Sequence, residues 1–317
     1  MSGPMLHFDV ASADASFRRY FRISTRGSSL IAMDSPPEVE SLERFINIAE
    51  RLRQAGINAP QVLACDLARG FALLSDLGQT TYLQALRERE AEADRLYGDA
   101  IRVLVAMQTR LAADDLPAYD GPFLRTELGI FPEWLVQRHL GLTLSADDER
   151  HWARTIDVLV RSALAQPLVF VHRDYHSRNL MLGAGGAPGV LDFQDAVRGP
   201  LSYDLVSLLR DCYITWSPAR VQRWVGVYLD LIAQTPLAAG VPDRRAFMRS
   251  FDLMGVQRHL KAAGIFARLA HRDGKDGYLA DIPRTLEHIL GVDDRDTELA
   301  WLHGFLRERV VPALTAP

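Results

Sequence analysis

A short apolar strand, Leu168-Val169-Phe170-Val171, runs directly into the polar octet His172-Arg173-Asp174-Tyr175-His176-Ser177-Arg178-Asn179. Thirteen positions beyond Asn179 a second carboxylate, Asp192, stands in Val190-Leu191-Asp192-Phe193-Gln194. The intervening stretch Gly183-Ala184-Gly185-Gly186-Ala187-Pro188-Gly189 misses the G-x-G-x-x-G register and opens no helix, so it reads as a hairpin turn between two small strands near 179–182 and 189–193. A fold that accepts this pattern must surround a strand, a polar loop and a hairpin with other elements. The loop-to-hairpin connection would then carry Asp174, Asn179 and Asp192 to one point.

The flanking sequence supplies two kinds of surroundings. Residues 17–23 alternate, with Phe17, Arg19, Phe21 and Ile23 on one face and Arg18, Tyr20 and Arg22 on the other. A turn at Arg26-Gly27-Ser28 and the apolar run Leu30-Ile31-Ala32-Met33 follow, and Pro36-Pro37 ends that strand. A helix is predicted from near Glu38, with Leu42, Phe45, Ile46, Ala49 and Leu52 on its apolar face and Gly56 at its end. Strands near 61–67 and 71–76 complete a set of about five. From Gly78 the pattern turns helical, over 81–112, 122–140, 146–165 and again from 201 to the end. The predicted class is α+β, with a small strand-rich N-lobe over 1–77 and a larger helical C-lobe over 78–317. This order is unlike a doubly wound sheet.

Composition removes several alternatives. The 317 residues carry a formal net charge of -4, which gives no reason to expect nucleic acid or an anionic membrane as partner. No apolar run approaches the ~20 residues that span a bilayer, and the N-terminus lacks a secretory layout, so a cytoplasmic protein is expected. Two cysteines, Cys65 and Cys212, support neither a disulfide framework nor a cysteine metal site. His172 and His176 lie four apart on a loop without the Glu of H-E-x-x-H, which argues against zinc. Of 36 basic residues only Lys261 and Lys275 are lysines, so any cation in the first half is arginine, histidine or a metal.

The octet has the H-R-D-x-x-x-x-N spacing of a kinase catalytic loop, and Asp192 occupies the place of a DFG-type aspartate, with Gln194 for the glycine. Phosphoryl transfer asks a protein to orient the nucleophile and neutralise phosphate charge. Asp174 can orient a substrate hydroxyl and accept its proton, and Asn179 and Asp192 offer the hard oxygen atoms that magnesium prefers. A bare H-R-D is weak: His271-Arg272-Asp273 is a second copy, with Tyr278 where the asparagine would stand, and reads as a solvated helix end. No G-x-x-x-x-G-K-[ST] is present, which excludes a P-loop enzyme by motif. Asp204 is expected in the first turn of a helix, in a structural role; His172 is the other supporting residue.

Together with Ala13-Asp14-Ala15-Ser16-Phe17-Arg18-Arg19-Tyr20-Phe21-Arg22, Met33-Asp34-Ser35-Pro36-Pro37-Glu38, Phe131-Pro132-Glu133-Trp134 and Gln257-Arg258-His259-Leu260-Lys261, these motifs resemble the aminoglycoside/choline-kinase-like superfamily. Within it they resemble the bacterial anomeric kinases that phosphorylate N-acetylmuramate and N-acetylglucosamine at C1. The resemblance is scattered over roughly residues 10–270 and implies a protein-kinase-like fold, ATP as co-substrate, Mg2+ and a place in cell-wall sugar recycling. It puts a phosphate-covering loop at Ala13, Asp14, Ala15, Ser16 and Phe17, and adenine contacts near Ser75, Asp76 and Leu77. The third-strand lysine of protein kinases is missing, Met33 standing near its place, and Arg18, Arg19 or Arg22 would supply the charge. Nucleotide contacts are accordingly expected from Arg19 and Arg22.

The helical insert at 113–145 is expected to line the acceptor pocket, with Glu127, Glu133, Trp134 and His139 as contacts. Arg258, His259 and Lys261 would meet a carboxylate on the acceptor. A solvated helix face is the plainer alternative for each charged residue, and helical core for Trp134. Two other functions stay open: an aminoglycoside or choline-type phosphotransferase, which needs an acidic pocket, and a nucleotide-binding pseudokinase, which the absent lysine favours and the intact Asp174–Asn179–Asp192 set opposes.

Overall fold

The computed structural model describes residues 7–12, 18–24, 27–38, 40–183, 186–293 and 298–315. The chain groups into two compact units, one of Met1–Ala112 with His172–Ala196, the other of Ala113–Val171 with Val197–Pro317.

The first unit is built on an antiparallel five-stranded sheet of β1 (His7–Ser12), β2 (Arg19–Ser24), β3 (Ser29–Asp34), β4 (Val62–Asp66) and β5 (Phe71–Ser75), in the order β1-β2-β3-β5-β4. Edge strand β1 is absent from the sequence-based expectation. Its apolar residues Phe8 and Val10 are exposed, so it lacks the one-sided burial that makes a strand legible. Met33 is buried in β3, paired with Tyr20 on one side and Ala72 on the other.

Helix α1 (Leu42–Gln54) starts four residues after Glu38, because the Ser41 side chain caps it by accepting from the Arg44 N–H at 3.2 Å. It buries Leu42, Phe45, Ile48, Ala49 and Leu52, so Ile48 takes the core position expected of Ile46. Gly56 follows its C-cap with φ +80°, as a chain leaving a helix prefers. Helices α2 (Tyr82–Glu88) and α3 (Ala93–Arg110) complete the helical part, joined by a single 3₁₀ turn. The segment His172–Ala196 returns to this unit and carries the two-stranded hairpin of β7 (Leu180–Met181) and β8 (Gly189–Val190).

The second unit opens with α4 (Gly121–Ile130), which passes without a break into a π-helical segment, Phe131–His139. The sequence predicts one ordinary helix over 122–140; the backbone instead widens its last turns. The long helix α8 (Arg244–Asp273) approaches closely there. A Cβ on Gly264 would stand 2.7 Å from the carbonyl carbon of Ile130 and from the nitrogen of Phe131, so only glycine fits. Helix α5 (Ala146–Leu164) carries a capping box of Ser145 and Asp148. Strand β6 (Leu168–Val171) pairs with β9 (Val197–Pro200), a short strand whose Gly-Pro ending hid it from sequence.

Helix α6 (Tyr203–Leu209) is buried along its whole length, Asp204 included. Helices α7 (Pro218–Ile232), α9 (Ile282–Leu290), α10 (Ala300–Phe305) and α11 (Val311–Thr315) complete the unit. The 30-residue α8 buries residues on nearly every side, as a central core helix does. His271-Arg272-Asp273 is its solvent-exposed last turn, stopped by Gly274 in the left-handed conformation.

Candidate active site

The octet leaves a buried strand and folds on itself through its own hydrogen bonds. The Asp174 N–H donates to Nδ1 of His172 at 3.3 Å, the His176 N–H to the Asp174 carbonyl at 3.1 Å, and the Asn179 N–H to the His176 carbonyl at 2.9 Å. Neighbouring segments of the same unit clamp the result. The Tyr175 hydroxyl donates to the Ala100 carbonyl of α3 at 2.9 Å, the Leu83 N–H to the Ser177 carbonyl at 3.0 Å, and the Leu182 N–H to the Thr80 carbonyl at 2.8 Å. The Leu191 N–H closes the hairpin onto the Asn179 carbonyl at 3.0 Å.

The structure brings Asn179 to both aspartates, to the backbone of Asp174 and to the side chain of Asp192. The Asn179 amide nitrogen donates to the Asp174 carbonyl at 3.0 Å and to Oδ2 of Asp192 at 3.2 Å. Gln194, standing where a glycine was expected, donates to Oδ1 of Asp192 at 2.9 Å. Phe193 is fully buried and stacks on Phe45 of α1 at 5.0 Å, which anchors the segment behind the aspartate.

Backbone conformation singles out the same residues. Among the described residues only Arg173, at φ 77°, and Asp192, at φ 63°, are non-glycine residues in the left-handed region. Such conformations persist where surrounding structure imposes them, and they collect at functional sites.

The donor set fits a hard divalent cation. Asp192 is exposed and presents a carboxylate. Asn179 spends its amide hydrogens on Asp174 and Asp192, while its Oδ1 accepts no hydrogen bond from the described residues. The Asn179 Oδ1 and the Asp192 carboxylate are hard oxygen donors of the kind magnesium takes together with phosphate oxygens. His172 is fully buried. Burial pushes its imidazole down to about 4, with Asp174 opposing, so it is neutral near pH 7.

The expected nucleotide contacts have varied settings. Ala13, Asp14, Ala15, Ser16 and Phe17 lie outside the described residues. Arg19 is largely exposed and pairs with Asp34. Arg22 forms a forked pair with Asp76, at 2.6 and 3.0 Å, and donates to the Gly78 carbonyl at 2.8 Å. Burial raises the Asp76 carboxyl, but hydrogen bonds from Arg22, Ser29 and the Gly78 N–H outweigh it and hold it below the ordinary carboxylate value. The Ser75 hydroxyl accepts from the Gln61 N–H at 2.8 Å.

Leu77 covers Gly189, where a Cβ would come within 3.0 Å of its Cδ1, so the 75–78 connection touches the hairpin. Arg18, weighed in sequence only as one of three arginines, is buried, pairs with Glu40 at 2.8 Å and lies over the Phe45 ring at 5.9 Å. Its position at the end of 13–17 was visible in sequence; its pairing with an acid 22 residues away was not.

In the second unit the acceptor-side residues fall into two groups. Glu127 is buried and held by Lys261 Nζ at 2.9 Å, by the Tyr119 hydroxyl and by Gln257, whose Nε2 also donates to Tyr119 at 3.1 Å. Lys261 reaches the Tyr203 hydroxyl at 3.1 Å. Arg258 donates to Cys212 Sγ at 3.6 Å, and His259 meets the Arg210 carbonyl at 2.8 Å while stacking on His288 at 4.7 Å. The basic cluster read as a solvated or ligand-facing surface is thus part of the interior. Glu133 is exposed and pairs with Arg138 at 3.0 Å, and Arg138 covers one face of Trp134 at 4.0 Å. His139 Nδ1 lies 3.0 Å from His271 Nε2; burial and that neighbour lower its pKa.

A small antiparallel sheet, a helical remainder and a strand-fed H-R-D-x-x-x-x-N loop define the protein-kinase-like fold of small-molecule phosphotransferases. Over residues 7–246 the sequence matches the phosphotransferase enzyme family, and the chain belongs to that family. It is 49% identical over 303 residues to the N-acetylmuramate/N-acetylglucosamine kinase of Pseudomonas putida, spanning 94% of this chain and 87% of that one. It is 46% identical over 318 residues to the protein of the same name in Neisseria meningitidis, spanning 97% and 92%. An ethanolamine kinase of Plasmodium vivax shares the fold with a TM-score of 0.63 at 12% identity, covering 89% of this chain and 81% of its own. Among the described residues no helix is long and apolar enough to cross a membrane.

Proposed function

We propose that this enzyme transfers the γ-phosphoryl group of ATP to the anomeric C1 hydroxyl of N-acetylmuramate and N-acetylglucosamine, as a step in reusing cell-wall sugars. The observation that carries the phosphotransfer chemistry is the hydrogen-bonded set of Asp174, Asn179 and Asp192 on a loop with two strained residues. The near-half identity to two kinases of that name supports the acceptor.

In this reading Asp174 aligns the C1 hydroxyl and takes its proton as the oxygen–phosphorus bond forms and ADP leaves. Asn179 and Asp192 hold Mg2+, which supplies charge neutralisation on the phosphates. Gln194 and Asn179 fix the Asp192 carboxylate between two donors. Residues 13–17 cover the phosphates, and 75–77 border the adenine. We assign nucleotide binding to residues 1–77 and acceptor recognition to 78–317. The buried Arg18–Glu40 pair takes the role of the missing lysine–glutamate pair in this reading, since Arg22 is engaged by Asp76 and Arg19 is largely exposed and paired with Asp34.

An amine acceptor has less support. It needs free carboxylates, and Glu127 is already neutralised by Lys261. Coupled ADP release with N-acetylmuramate, N-acetylglucosamine, kanamycin and choline tests the assignment. Turnover of the two sugars alone is expected. Asp174→Asn should lower kcat roughly 10²–10⁴-fold with ATP affinity kept. Binding of ATP without turnover of any acceptor would favour a pseudokinase.

A further inference from the structure

Helix α8 lays residues 257, 261, 264 and 268 along one face by their spacing. The first three meet α4 and the π-helical segment: Gln257 through Glu127 and Tyr119, Lys261 through Glu127, and Gly264 against the backbone of Ile130 and Phe131. Arg268 is next on that face, and His271, three residues on, meets His139 at the far end of the same segment. Arg268 therefore lies alongside the stretch that contains Glu133 and Trp134.

Its charge has no partner of its own. Arg268 is half-buried, and among the described residues it forms no ion pair and its Nε finds no hydrogen-bond acceptor. Three acids are near enough to act on it, Asp273, Glu127 and Glu133. Each is engaged elsewhere: Asp273 with Arg272 at 2.8 Å, Glu127 with Lys261 at 2.9 Å, and Glu133 with Arg138 at 3.0 Å. Burial, and then Arg272, pull its pKa below the ordinary arginine value, so the site disfavours the charge it holds. A half-buried guanidinium without a carboxylate of its own keeps its planar fork available to an anion that arrives from outside, with which it can form a charge-assisted bidentate pair.

We infer that Arg268 is the specificity residue for an acidic acceptor, its planar fork receiving a ligand carboxylate. The inference rests on the proposed sugar-kinase reading and deepens it. Of the two sugars, only N-acetylmuramate carries a carboxylate, on the lactyl ether at C3; N-acetylglucosamine has a hydroxyl there. Arg268 then separates the two substrates, whereas Arg258, His259 and Lys261 hold the helices together.

The test compares kcat/KM for both sugars in wild type, Arg268→Gln and Arg268→Lys. Arg268→Gln should lose roughly 10–100-fold with N-acetylmuramate, mostly through KM, the loss of a charge-assisted hydrogen-bonded pair. With N-acetylglucosamine it should stay within about 2-fold of wild type, which also reports that the variant folds. Arg268→Lys should fall between, since it keeps the charge and loses the fork. Equal losses for both sugars, or no loss for either, overturn the inference while wild-type turnover of N-acetylglucosamine leaves the sugar-kinase reading intact. Wild type inactive on both sugars overturns both. If Arg268→Gln does not fold, Arg268→Lys with an unchanged ratio of the two sugars is sufficient to reject the inference.

Discussion

The H-R-D loop with its hairpin and the α4–α8 helical layer both fix polar side chains in place, and they do so by opposite means. In the loop, Asn179 and Gln194 donate to Asp192 and Asn179 to the Asp174 backbone, all within twenty positions, and two residues are held in strained conformations. In the helical layer the pairs that join α4 to α8 come from distant segments, Glu127 with Lys261 and Tyr119 with Gln257 each lying more than a hundred residues apart, and among the described residues no non-glycine has positive φ there. The first arrangement spends stability to aim groups; the second uses polar groups to set how helices meet. Variants that separate these two roles test the contrast.

The largest effect is expected in the helical layer. Lys261→Met leaves the Glu127 carboxylate buried without its cation, which should cost about 3–5 kcal/mol of unfolding free energy. The double variant Glu127→Gln with Lys261→Met removes both charges and should recover most of the loss. Urea unfolding of the two singles and the double gives the coupling. Simple addition of the single effects would mean that the pair does not hold the layer together.

That difference in range explains what sequence could tell. The loop was legible because its chemistry lies in 21 consecutive residues, His172 to Asp192, with the preceding strand visible. Gln194 stood in plain view, but its hydrogen bond to Asp192 depends on the left-handed turn between them. In the helical layer, Glu127 and the 257–261 cluster stand out in sequence as polar residues within helical stretches, yet nothing local says that Lys261 neutralises Glu127. Nothing in the sequence singles out Arg268, since its meaning is the lack of an ion-pair partner once every nearby acid is engaged. The π-helical turns after Ile130 begin where Gly264, about 130 residues on, passes close to the backbone, and residues 122–140 alone specify only a helix.

Acid should weaken both regions. Burial lowers His172 and His288 to about 4, and His259, buried beside His288 and Arg258, lies well below its ordinary value. The unfolded chain binds protons at these sites from about pH 6.5 downward, and the folded chain does not until about pH 4. Stability is therefore complete above pH 6.5 and falls between 6.5 and 4. His172 and His288 should each remove about 2 kcal/mol between pH 7.5 and pH 5. Unfolding midpoints at those two pH values for wild type and His288→Gln measure it. The variant should lose about 2 kcal/mol less on acidification. An acid limb of unchanged slope would remove His288 from this account.

The smallest stability effect belongs to Asp192, and it bears most directly on the contrast. An aspartate at φ 63° is strained by about 1 kcal/mol or more, which glycine relieves at that position. Asp192→Gly also deletes the acceptors of Asn179 and Gln194, both solvent-near hydrogen bonds of the kind worth about 1 kcal/mol net. These terms oppose each other, so the variant should unfold within about 1 kcal/mol of wild type while losing phosphotransfer activity. Thermal melting paired with ADP release reads both. A loss above about 2 kcal/mol would mean that the aspartate is a structural keystone like Lys261. Preserved stability without turnover is what a conformation kept for metal binding requires, because nothing in the packing of the hairpin then calls for the carboxylate.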